Sequence, residues 1–443
     1  MNVTLVYPCI RNFDGFNSLG KHHEGCYILH GLPSIAACLE QRGHQVRLLD
    51  LRERLSWDDV QSWITHDNSE VYGIYMSTLD YYEAKRVAEI IKHVKPKSKV
   101  IVGGPHPSIV PQVVSRDSEF DYIFVGEGEV TFPKMLEDLD SYPRIVEGEH
   151  PDLNSLPYED REIFNMEKVL ATKHPVYPRP FINVISGRGC PFNCSFCKPG
   201  EDLIFGKFRM RSVGHLMGEV EMLHDRYHFN ILMIDDDLFT AKPDYVMEWC
   251  DRYEKIGKPF AIQTRADLCY KHPEIFKRMK EVGLGWVRMG LESGNQRVLN
   301  YMRKGTTVEQ NYSAVELCHK LGVQVIVNYM LGLPTETKEE VMDTINMIRI
   351  TKPEERSAAF YTPIVGTDMY DDCKKKNLLV SEDPTVLGTR TISDQPRLHG
   401  IDYDWIQKQM YGRFYRQRHF ARKILNRYPV LSPIRKVANK IMR

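Results

Sequence analysis

Short apolar runs alternate with amphipathic segments along the first 150 residues of the chain. The runs predict strands at residues 3–7, 46–51, 71–77, 100–103 and 122–125, with the clearest helices at 32–41 and 82–94. Short apolar strands that alternate with helices are typical of a parallel sheet whose two faces are both covered. The pattern therefore predicts an α/β fold that begins with a doubly wound, Rossmann-like sheet.

A second alternating series begins at residue 181, after a segment rich in proline and charge. It predicts six strands, at residues 181–186, 231–235, 260–264, 286–290, 323–329 and 357–361, with helices between them such as 212–226 and 243–256. We therefore expect a first domain at 1–145, a linker at 146–180, a second domain at 181–365 and a C-terminal region at 366–443.

The composition is that of an ordinary soluble enzyme, with 42% hydrophobic and 27% charged residues among 443. Met1 leads straight into an apolar strand-like run, so no signal peptide is expected, and no apolar segment reaches the ~18 residues that cross a bilayer. Only three of the ten cysteines are clustered, which is unlike a secreted disulfide framework. These features predict a protein of the reducing cytoplasm.

The zero net charge conceals a basic C-terminus. Residues 405–443 contain eleven Lys or Arg and no Asp or Glu, which leaves 48 basic and 59 acidic side chains in the first 404 residues. The aromatic and basic residues from Tyr411 to Lys423 have the spacing of an amphipathic helix. We interpret this tail as a helix packed on the core at the mouth of the second domain. Peripheral contact with an anionic membrane is an alternative, and no nucleic-acid partner is expected.

The densest chemistry lies at residues 187–197, Gly-Arg-Gly-Cys-Pro-Phe-Asn-Cys-Ser-Phe-Cys, just after a predicted strand. Cys190, Cys194 and Cys197 have the spacing C-x3-C-x2-C. Three thiolates this close together can bind one face of an iron–sulfur cluster and leave one iron open, whereas structural zinc takes four protein ligands. Phe196 would shield such a cluster from water. A zinc knuckle with a distant fourth ligand, or three unrelated thiols, are the alternatives.

This cysteine stretch resembles the signature of the radical S-adenosylmethionine (SAM) superfamily. The resemblance implies a 4Fe–4S cluster on Cys190, Cys194 and Cys197, with the amino and carboxylate groups of SAM on the open iron. It also implies that the six strand–helix units from residue 181 form a partial (β/α)6 barrel. In such barrels the chemistry collects at the C-terminal ends of the strands.

Two of these strand ends carry charged residues suited to the amino-acid part of SAM. By position, Asp236 or Asp237 in the run Asp235–Asp237 matches the superfamily residues that accept hydrogen bonds from the SAM amino group. A helix cap is the simpler interpretation of the run. Arg265 ends the third strand of the barrel and would pair with the SAM carboxylate, or else form an ion pair inside the barrel.

The remaining strand ends match superfamily positions around the nucleoside of SAM. Glu292 and Ser293, within Gly290–Gly294, suit the ribose, and Gly332 lies in a family-like string around adenine. Phe196, beside the last cysteine, completes the predicted SAM site. After the sixth strand, Val365 stands where many relatives have a second proline, so the expected substrate loop departs from the family pattern.

Three consecutive strand ends of the first domain indicate a second cofactor. No complete G-x-G-x-x-G follows the first strand, and the carboxylates of Gly-Glu-Gly-Glu at 126–129 would repel a pyrophosphate. The glycine pair at 103–104 instead allows the backbone to approach a bulky, largely neutral ligand. This series resembles the cobalamin-binding domain that precedes many radical SAM enzymes. The residues that the resemblance assigns to cobalamin are Ser77, Thr78, Leu79, Tyr81, Gly103, Gly104, Pro105, His106, Gly126, Glu127, Gly128 and Glu129.

The lower face of the cobalt is the open point of this assignment. The chain lacks the D-x-H-x-x-G motif whose histidine binds cobalt in mutases, so the resemblance implies a corrinoid without a histidine ligand. His106 is the obvious substitute, but a turn histidine bonded to backbone is an equal alternative. Leu79, Asp80 and Tyr81 are candidates for the lower face, with a helix N-cap as the alternative role of Asp80.

Residues 1 to about 400 thus resemble the cobalamin-binding radical SAM enzymes, whose members include C-methylases. The family mechanism uses one SAM to methylate cobalamin and a second to form a 5′-deoxyadenosyl radical, which abstracts hydrogen from an unactivated sp3 carbon. The resemblance implies a methyltransferase with a ferredoxin- or flavodoxin-like electron donor. We expect a protein side chain, for example of methyl-coenzyme M reductase, or else a lipid or small metabolite as the substrate.

Two rival activities follow from the same resemblance. A B12-dependent cyclase or rearrangement enzyme would keep both cofactors but transfer no methyl group. A methylthiotransferase would need a second three-cysteine site upstream, and Cys9, Cys26 and Cys38 are too widely spaced to provide one. A corrinoid carrier without catalytic activity would leave the cysteine triplet unexplained.

Overall fold

The computed structural model describes residues 1–9, 15–19, 25, 27–385 and 397–411. Most of the predicted basic tail lies outside these residues. All nine cysteines that the model describes are free thiols. None of the described helices is long and apolar enough to span a membrane.

The first domain contains the predicted doubly wound parallel sheet. Its strands are β1 (Asn2–Tyr7), β2 (Gln45–Asp50), β3 (Val71–Tyr75), β4 (Lys99–Gly103), β5 (Tyr122–Val125) and β6 (Ile145–Glu147), in the spatial order β2-β1-β3-β4-β5-β6. The helices of this part are α1 (Gly31–Gln41), α2 (Trp57–His66), α3 (Tyr81–Val94), α4 (Pro105–Ile109), α5 (Pro111–Val114) and α6 (Thr131–Met135). The fold class is confirmed, and β6 is a strand that the hydrophobic pattern did not predict.

The segment predicted as a linker has structure of its own. It contains most of β6, a 3-10 turn at Arg161–Ile163 and α7 (Met166–Ala171). Its end closes the bottom of the second domain, where Tyr177 packs with Phe181 and Met233 beneath the strands. His174 stacks on Tyr177 with ring centroids 4.4 Å apart. The linker therefore contributes to the core of the barrel.

The second domain is the predicted open six-stranded parallel sheet. Its strands are β7 (Phe181–Val184), β10 (Ile231–Ile234), β11 (Phe260–Thr264), β12 (Leu284–Glu292), β13 (Gln324–Leu331) and β14 (Glu355–Phe360), in the order β14-β13-β12-β11-β10-β7. Between β7 and β10 a short antiparallel ladder joins β8 (Gly187–Arg188) to β9 (Arg209–Met210). This ladder brackets the cysteine segment.

Helices follow each strand of the second domain and cover its outer face. They are α8 (Gly200–Phe205), α9 (Val213–Tyr227), α10 (Pro243–Tyr253), α11 (Ala266–Lys271), α12 (Pro273–Glu281), α13 (Gln296–Tyr301), α14 (Val308–Lys320), α15 (Lys338–Thr351), α16 (Asp368–Lys375) and α17 (Tyr403–Tyr411). Thr307 and Thr337 form capping boxes at the starts of α14 and α15, which satisfy backbone N–H groups at the N-terminus of each helix. These caps fix where the helices begin.

The hydrophobic core is continuous between the two sheets. Neighbouring residues of β1 point to opposite faces, so that Leu5 and Val6 belong to different cores. The core that contains Leu5 also contains Ile182 and Ile262 from the second sheet. Burial of apolar surface across this boundary holds the strand ends of the two domains in a fixed relation.

Candidate active site

The three clustered cysteines lie on a tight loop between β8 and α8. Cys194 is buried, Cys190 is half-buried and Cys197 is exposed. The loop turns sharply because the Cys197 amide donates to the Cys194 carbonyl at 3.0 Å, and the Ser195 amide anchors it to the Met302 carbonyl at 2.9 Å.

The donor set suits a cluster better than a single ion. Among the described residues, no three His, Cys, Asp or Glu side chains are placed to share one metal ion. Structural zinc needs ligands that converge on one point, whereas three thiolates of a cubane bind three separate irons. The three thiols on this one loop are the donor type that the predicted 4Fe–4S cluster takes.

Arg265 lies against this loop at the end of β11. Its Nη1 is 3.5 Å from the Cys194 sulfur, and its Nε donates to Asp267 Oδ1 at 2.8 Å. The guanidinium also lies 3.7 Å from the centre of the Phe192 ring, a cation–π contact. The bond to Asp267 is that of an ion pair inside the barrel, and pairing of Arg265 with the SAM carboxylate stays a prediction.

The aspartates after β10 have different surroundings. Asp236 is buried, and its Oδ1 accepts hydrogen bonds from the Ser186 and Gly187 amides at 2.5 and 3.3 Å. Burial raises the pKa of Asp236 to about 6 despite these bonds. Asp237 is exposed and accepts no hydrogen bond from the described residues. Two effects raise its pKa: desolvation first, and then the negative charge of Asp235. Asp236 thus holds the chain before the cysteine loop, and Asp237 is available to a ligand.

Glu292 ends β12 with a strained backbone. Its φ of 60° lies in the left-handed region that few side chains adopt, at an irregularity in the pairing of β12 with β13. Lys304 donates to its Oε1 at 2.9 Å and lies 5.7 Å from the Phe196 ring. Such strain is found at functional sites that hold a side chain in place. The structure thereby brings two predicted SAM residues, Glu292 and Phe196, around one buried lysine.

Ser293 is placed differently from its neighbour. It is fully buried, its hydroxyl lies 3.1 Å from Thr344 Oγ1, and it accepts a hydrogen bond from the Asn295 amide at 3.1 Å. These bonds tie the end of β12 to α15. The hydroxyl is therefore already engaged within the protein.

Gly332 and Glu336 form a tight turn after β13. Gly332 has a φ of 70°, and its amide donates to Glu336 Oε2 at 2.7 Å, as does the Leu333 amide at 3.1 Å. The other carboxylate oxygen, Oε1, is buried without a hydrogen-bond partner. Burial raises the pKa of Glu336 to about 7, so the carboxyl group titrates near neutral pH in the folded protein.

This raised pKa predicts a pH dependence of stability. Because the folded state keeps the Glu336 proton to about pH 7 while the usual value is 4.5, folding binds a proton between these values. The contribution of Glu336 to the free energy of unfolding should therefore be largest below pH 4.5 and decrease as the pH rises to about 7. Denaturant titrations of Glu336→Gln and the parent at pH 5 and pH 8 measure the effect. The parent should lose more stability than the variant; equal losses would contradict the prediction.

The first domain presents the other predicted ligand positions at its strand ends. Ser77 donates to Asp80 at 2.5 Å. Leu79 and Tyr81 are both buried, and the Tyr81 hydroxyl donates to Asp117 at 2.7 Å. The bond between Ser77 and Asp80 closes the 3-10 turn at Thr78–Asp80, which lies between β3 and α3.

The glycine pair after β4 is explained by protein contacts. Gly104 has a φ of 112°, and a Cβ there would lie 2.9 Å from the Met76 carbonyl and 3.1 Å from the Tyr75 ring. The absence of a side chain is thus required by the close approach to Tyr75 and Met76 at the end of β3, and the contact of Gly104 with cobalamin stays a prediction. A Cβ on Gly103 would meet only ordinary contacts, 3.4 Å from Phe124 Cβ. Pro105 follows as the first residue of α4.

His106 faces a pocket between the two domains. Its Nδ1 is 2.9 Å from Thr78 Oγ1, while its buried Nε2 has no hydrogen-bond partner. Burial lowers the pKa of His106 to about 4, which keeps the imidazole neutral. The pocket is also lined by Val365 and Tyr370 from beyond β14. A buried nitrogen without a partner at such a pocket fits the binding of a polar ligand.

The Gly126–Glu129 turn lies against the β8–β9 ladder of the second domain. Gly126 has a φ of 81°, and its amide donates to Ser108 Oγ at 2.9 Å. A Cβ on Gly128 would lie 3.0 Å from Ile35 Cδ1. Glu127 and Glu129 are buried, and each accepts a hydrogen bond from Arg188 at 2.6 Å. The carboxylates predicted to contact cobalamin are thus engaged by the second domain.

Two site residues were missed by the sequence analysis. Arg188 lies inside the cysteine signature, two positions before Cys190, and Lys304 lies in the string that follows Gly294. For Arg188, the available signal was a cation two positions before a predicted cluster ligand. For Lys304, no such neighbour marks the pairing with Glu292, which lies 12 positions away. The partners of Arg188 lie 61 and 59 positions away, so its pairs were not visible in the sequence.

Two family models match this chain. Residues 184–348 match the radical SAM superfamily, and residues 19–136 match the B12 binding domain. The first match spans the cysteine loop and four of the six barrel strands, β10 to β13. The second spans most of the first sheet.

Comparisons over most of the chain agree with this division. The chain is 28% identical to an uncharacterized methyltransferase of Pyrococcus horikoshii, over 79% of each protein. It is 27% identical to the anaerobic magnesium-protoporphyrin IX monomethyl ester cyclase of Rubrivivax gelatinosus, over 85% of this chain and 70% of the cyclase. The structure of the radical SAM methyltransferase TsrM from Kitasatospora setae, with cobalamin and a [4Fe-4S] cluster bound, superposes with a TM-score of 0.65 at 15% identity, over 85% of this chain and 78% of TsrM. That likeness shows a shared fold.

Proposed function

We propose that this chain, which belongs to the cobalamin-binding radical SAM enzymes, methylates an unactivated sp3 carbon. The family uses a 4Fe–4S cluster, SAM and cobalamin. The observation that carries the proposal is the continuous packing of a B12-binding sheet against a barrel that presents three cysteines at the same boundary. With both cofactors bound at this boundary, one substrate would lie within reach of both.

The bound cofactors would supply a carbon-centred radical and a transferable methyl group. The protein's own residues would hold these groups in place. Cys190, Cys194 and Cys197 would bind the cluster, with Arg265 beside Cys194. The proposed SAM contacts are Phe196 on this loop and residues at or just after the ends of successive strands: Asp236, Asp237, Arg265, Glu292, Ser293 and Gly332. Orientation of this kind provides a large part of enzymatic rate acceleration.

The first domain would hold the corrinoid at its strand ends. Backbone atoms around Gly103, Gly104 and Pro105 and the side chains of Thr78 and His106 are the proposed contacts. The neutral His106 Nε2 would meet a polar group of the ligand. The pocket reaches Val365, so the residues after β14 would also limit the space for the substrate.

A protein side chain is our proposed substrate class, with methyl-coenzyme M reductase as one example. The proposal is supported by the basic C-terminal sequence, which would guide an acidic macromolecular surface. A lipid or a small metabolite is the alternative. We also propose an electron donor such as ferredoxin or flavodoxin and a cytoplasmic location. The proposed domain limits are 1–145, 146–180, 181–365 and 366–443.

Labelled SAM tests the proposed activity. Reconstituted enzyme would be incubated anaerobically with cell extract and SAM that carries a trideuterated methyl group, and the products analysed by mass spectrometry. A product that gains the deuterated methyl group supports a methyltransferase. A substrate that is cyclised or rearranged without label would instead support the cyclase alternative, for which the similarity to the Rubrivivax cyclase speaks.

Asp237→Asn should weaken SAM binding without destabilising the protein. Loss of one charge-assisted hydrogen bond costs about 1.5–3 kcal/mol, which lowers the affinity about tenfold or more. Because Asp237 is exposed and makes no hydrogen bond to the described residues, its replacement should leave the melting temperature unchanged. Equilibrium binding of SAM to the reconstituted variant measures the change.

Asp236→Asn is the matched control for this prediction. Asp236 accepts amide hydrogen bonds from Ser186 and Gly187, so its loss should lower the melting temperature and the iron content of the protein. If Asp237→Asn binds SAM as tightly as the parent, the exposed carboxylate is not a SAM contact.

A further inference from the structure

The Gly126–Glu129 turn of the first domain carries two carboxylates that point away from solvent. Only 3% of each Glu127 and Glu129 side chain is exposed. Burial alone would raise the pKa of Glu129, but the charge and hydrogen bond of Arg188 more than offset it, so the pKa lies below its usual range. Buried carboxylates of this kind are retained only where cations or donors satisfy them.

Arg188 satisfies both carboxylates at once. Its Nη1 donates to Glu127 Oε1 and its Nη2 to Glu129 Oε1, each at 2.6 Å. Ser34 Oγ supports the second carboxylate by donating to the same oxygen at 2.9 Å. The planar guanidinium can span two acceptors in this fixed way, which a lysine ammonium cannot reproduce. Arg188 is therefore held in one orientation by the first domain.

The second oxygen of Glu127 binds the other strand of the β8–β9 ladder. Arg209, which pairs with Arg188 in that ladder, donates to Glu127 Oε2 at 2.5 Å. His150 Nδ1 lies 2.6 Å from the same oxygen. The two carboxylates thus meet two guanidinium groups, and the ladder that brackets the cysteine loop is fixed on both strands.

Arg188 is separated from Cys190 by a single glycine. Gly189 has a φ of 79°, in the left-handed region, and a Cβ there would lie 3.4 Å from Phe208 Cα. A displacement of Arg188 would therefore be passed over a short, tightly packed connection to the first cysteine. Three of the four carboxylate oxygens of Glu127 and Glu129 accept hydrogen bonds from the second domain or from Ser34.

We propose that Glu127 and Glu129 are positioning residues for the cluster-binding loop, acting through Arg188, rather than contacts of the corrinoid. The first domain then sets the position of Cys190 in the second, and the competence of the cluster depends on the B12-binding domain even when no methyl group is transferred. The inference rests on the cluster at the three cysteines but not on the identity of the substrate or on methyl transfer.

The experiment compares Glu129→Gln, Arg188→Gln and the double variant after cluster reconstitution. We expect about four irons per chain in each, but at least tenfold slower reductive cleavage of SAM and a smaller SAM-induced change in the electron paramagnetic resonance spectrum of the reduced cluster. Cobalamin content should equal that of the parent. Because Glu129 acts through Arg188, the double variant should cleave SAM within about twofold of Arg188→Gln.

The matched control is Glu149→Gln, which removes a carboxylate of the same region that is 62% exposed and paired with Lys134. This variant should behave as the parent in every assay. Multiplicative losses in the double variant, or loss of cobalamin from Glu129→Gln with normal SAM cleavage, would overturn the proposal. So would an unchanged rate in both single variants.

Arg188→Lys keeps the inference testable if the neutral variants do not fold. It retains the buried positive charge but cannot hold both carboxylates in a fork, so SAM cleavage should fall while the melting temperature stays close to the parent's. Normal SAM cleavage by this folded variant would contradict the positioning role. If the parent itself assembled no cluster, the proposed function would fail instead, and the two failures are therefore distinguishable.

Discussion

Replacement of Cys190, Cys194 or Cys197 by Ala should abolish the iron–sulfur absorbance and the cleavage of SAM together. Each thiolate would hold a different iron of the cubane, so two remaining ligands cannot retain it. We expect the parent to be a brown, oxygen-sensitive protein with about four irons per chain, and each variant to be colourless.

Cys250→Ala is the control for this loss. Cys250 is fully buried in α10, away from the loop, so its replacement should leave a small cavity and reduce stability modestly while the cluster forms normally. Iron analysis, the visible spectrum and the yield of 5′-deoxyadenosine are measured on the same anaerobic samples. A single variant of the triplet that keeps a full cluster and cleaves SAM would refute the assignment.

The elements of the fold could be predicted because their signals are local. The strands β1 to β5 and all six barrel strands fall within about two residues of the apolar runs that predicted them. The exception is β6, which is only three residues long and lies in a polar, proline-rich segment. A strand this short is defined by its pairing with β5, a contact that no periodicity in the sequence reveals.

The candidate site was predictable in its residue types but not in its pairings. The cysteine spacing is local, whereas Arg188 and Glu129 are 59 positions apart and come together only in the fold. Asp236 and Asp237 are adjacent residues of the same type, so the sequence does not distinguish their roles. In the structure Asp236 is buried and accepts backbone amide bonds, whereas Asp237 is open to solvent. The strained φ of Glu292 likewise follows from its pairing with β13 rather than from its own sequence.

The turn that follows β4 forms part of the proposed cobalamin site, so Gly104→Ala should remove cobalamin while the barrel stays intact. The residue has a φ of 112°, and the added Cβ would lie 2.9 Å from the Met76 carbonyl. Strain of this kind costs on the order of 1–3 kcal/mol, and it would be relieved by moving the strand ends that form the proposed corrinoid site. The cluster lies on another loop, so SAM cleavage should persist without a methylated product.

Gly103→Ala separates this effect from a general intolerance of side chains at the turn. A Cβ on Gly103 would approach Phe124 Cβ only to 3.4 Å, and its φ is not in the left-handed region, so cobalamin should be retained. Cobalt content and the spectrum of bound cobalamin are compared for the two variants after identical reconstitution, beside the iron content and the yield of 5′-deoxyadenosine. If Gly104→Ala keeps its cobalamin and methylates at the parent's rate, the strand ends do not form the corrinoid site. If Gly104→Ala loses the cluster as well, the cobalamin region and the cluster loop depend on each other more strongly than their separate positions suggest. The contacts of Arg188 with Glu127 and Glu129 would be the first candidates for that dependence.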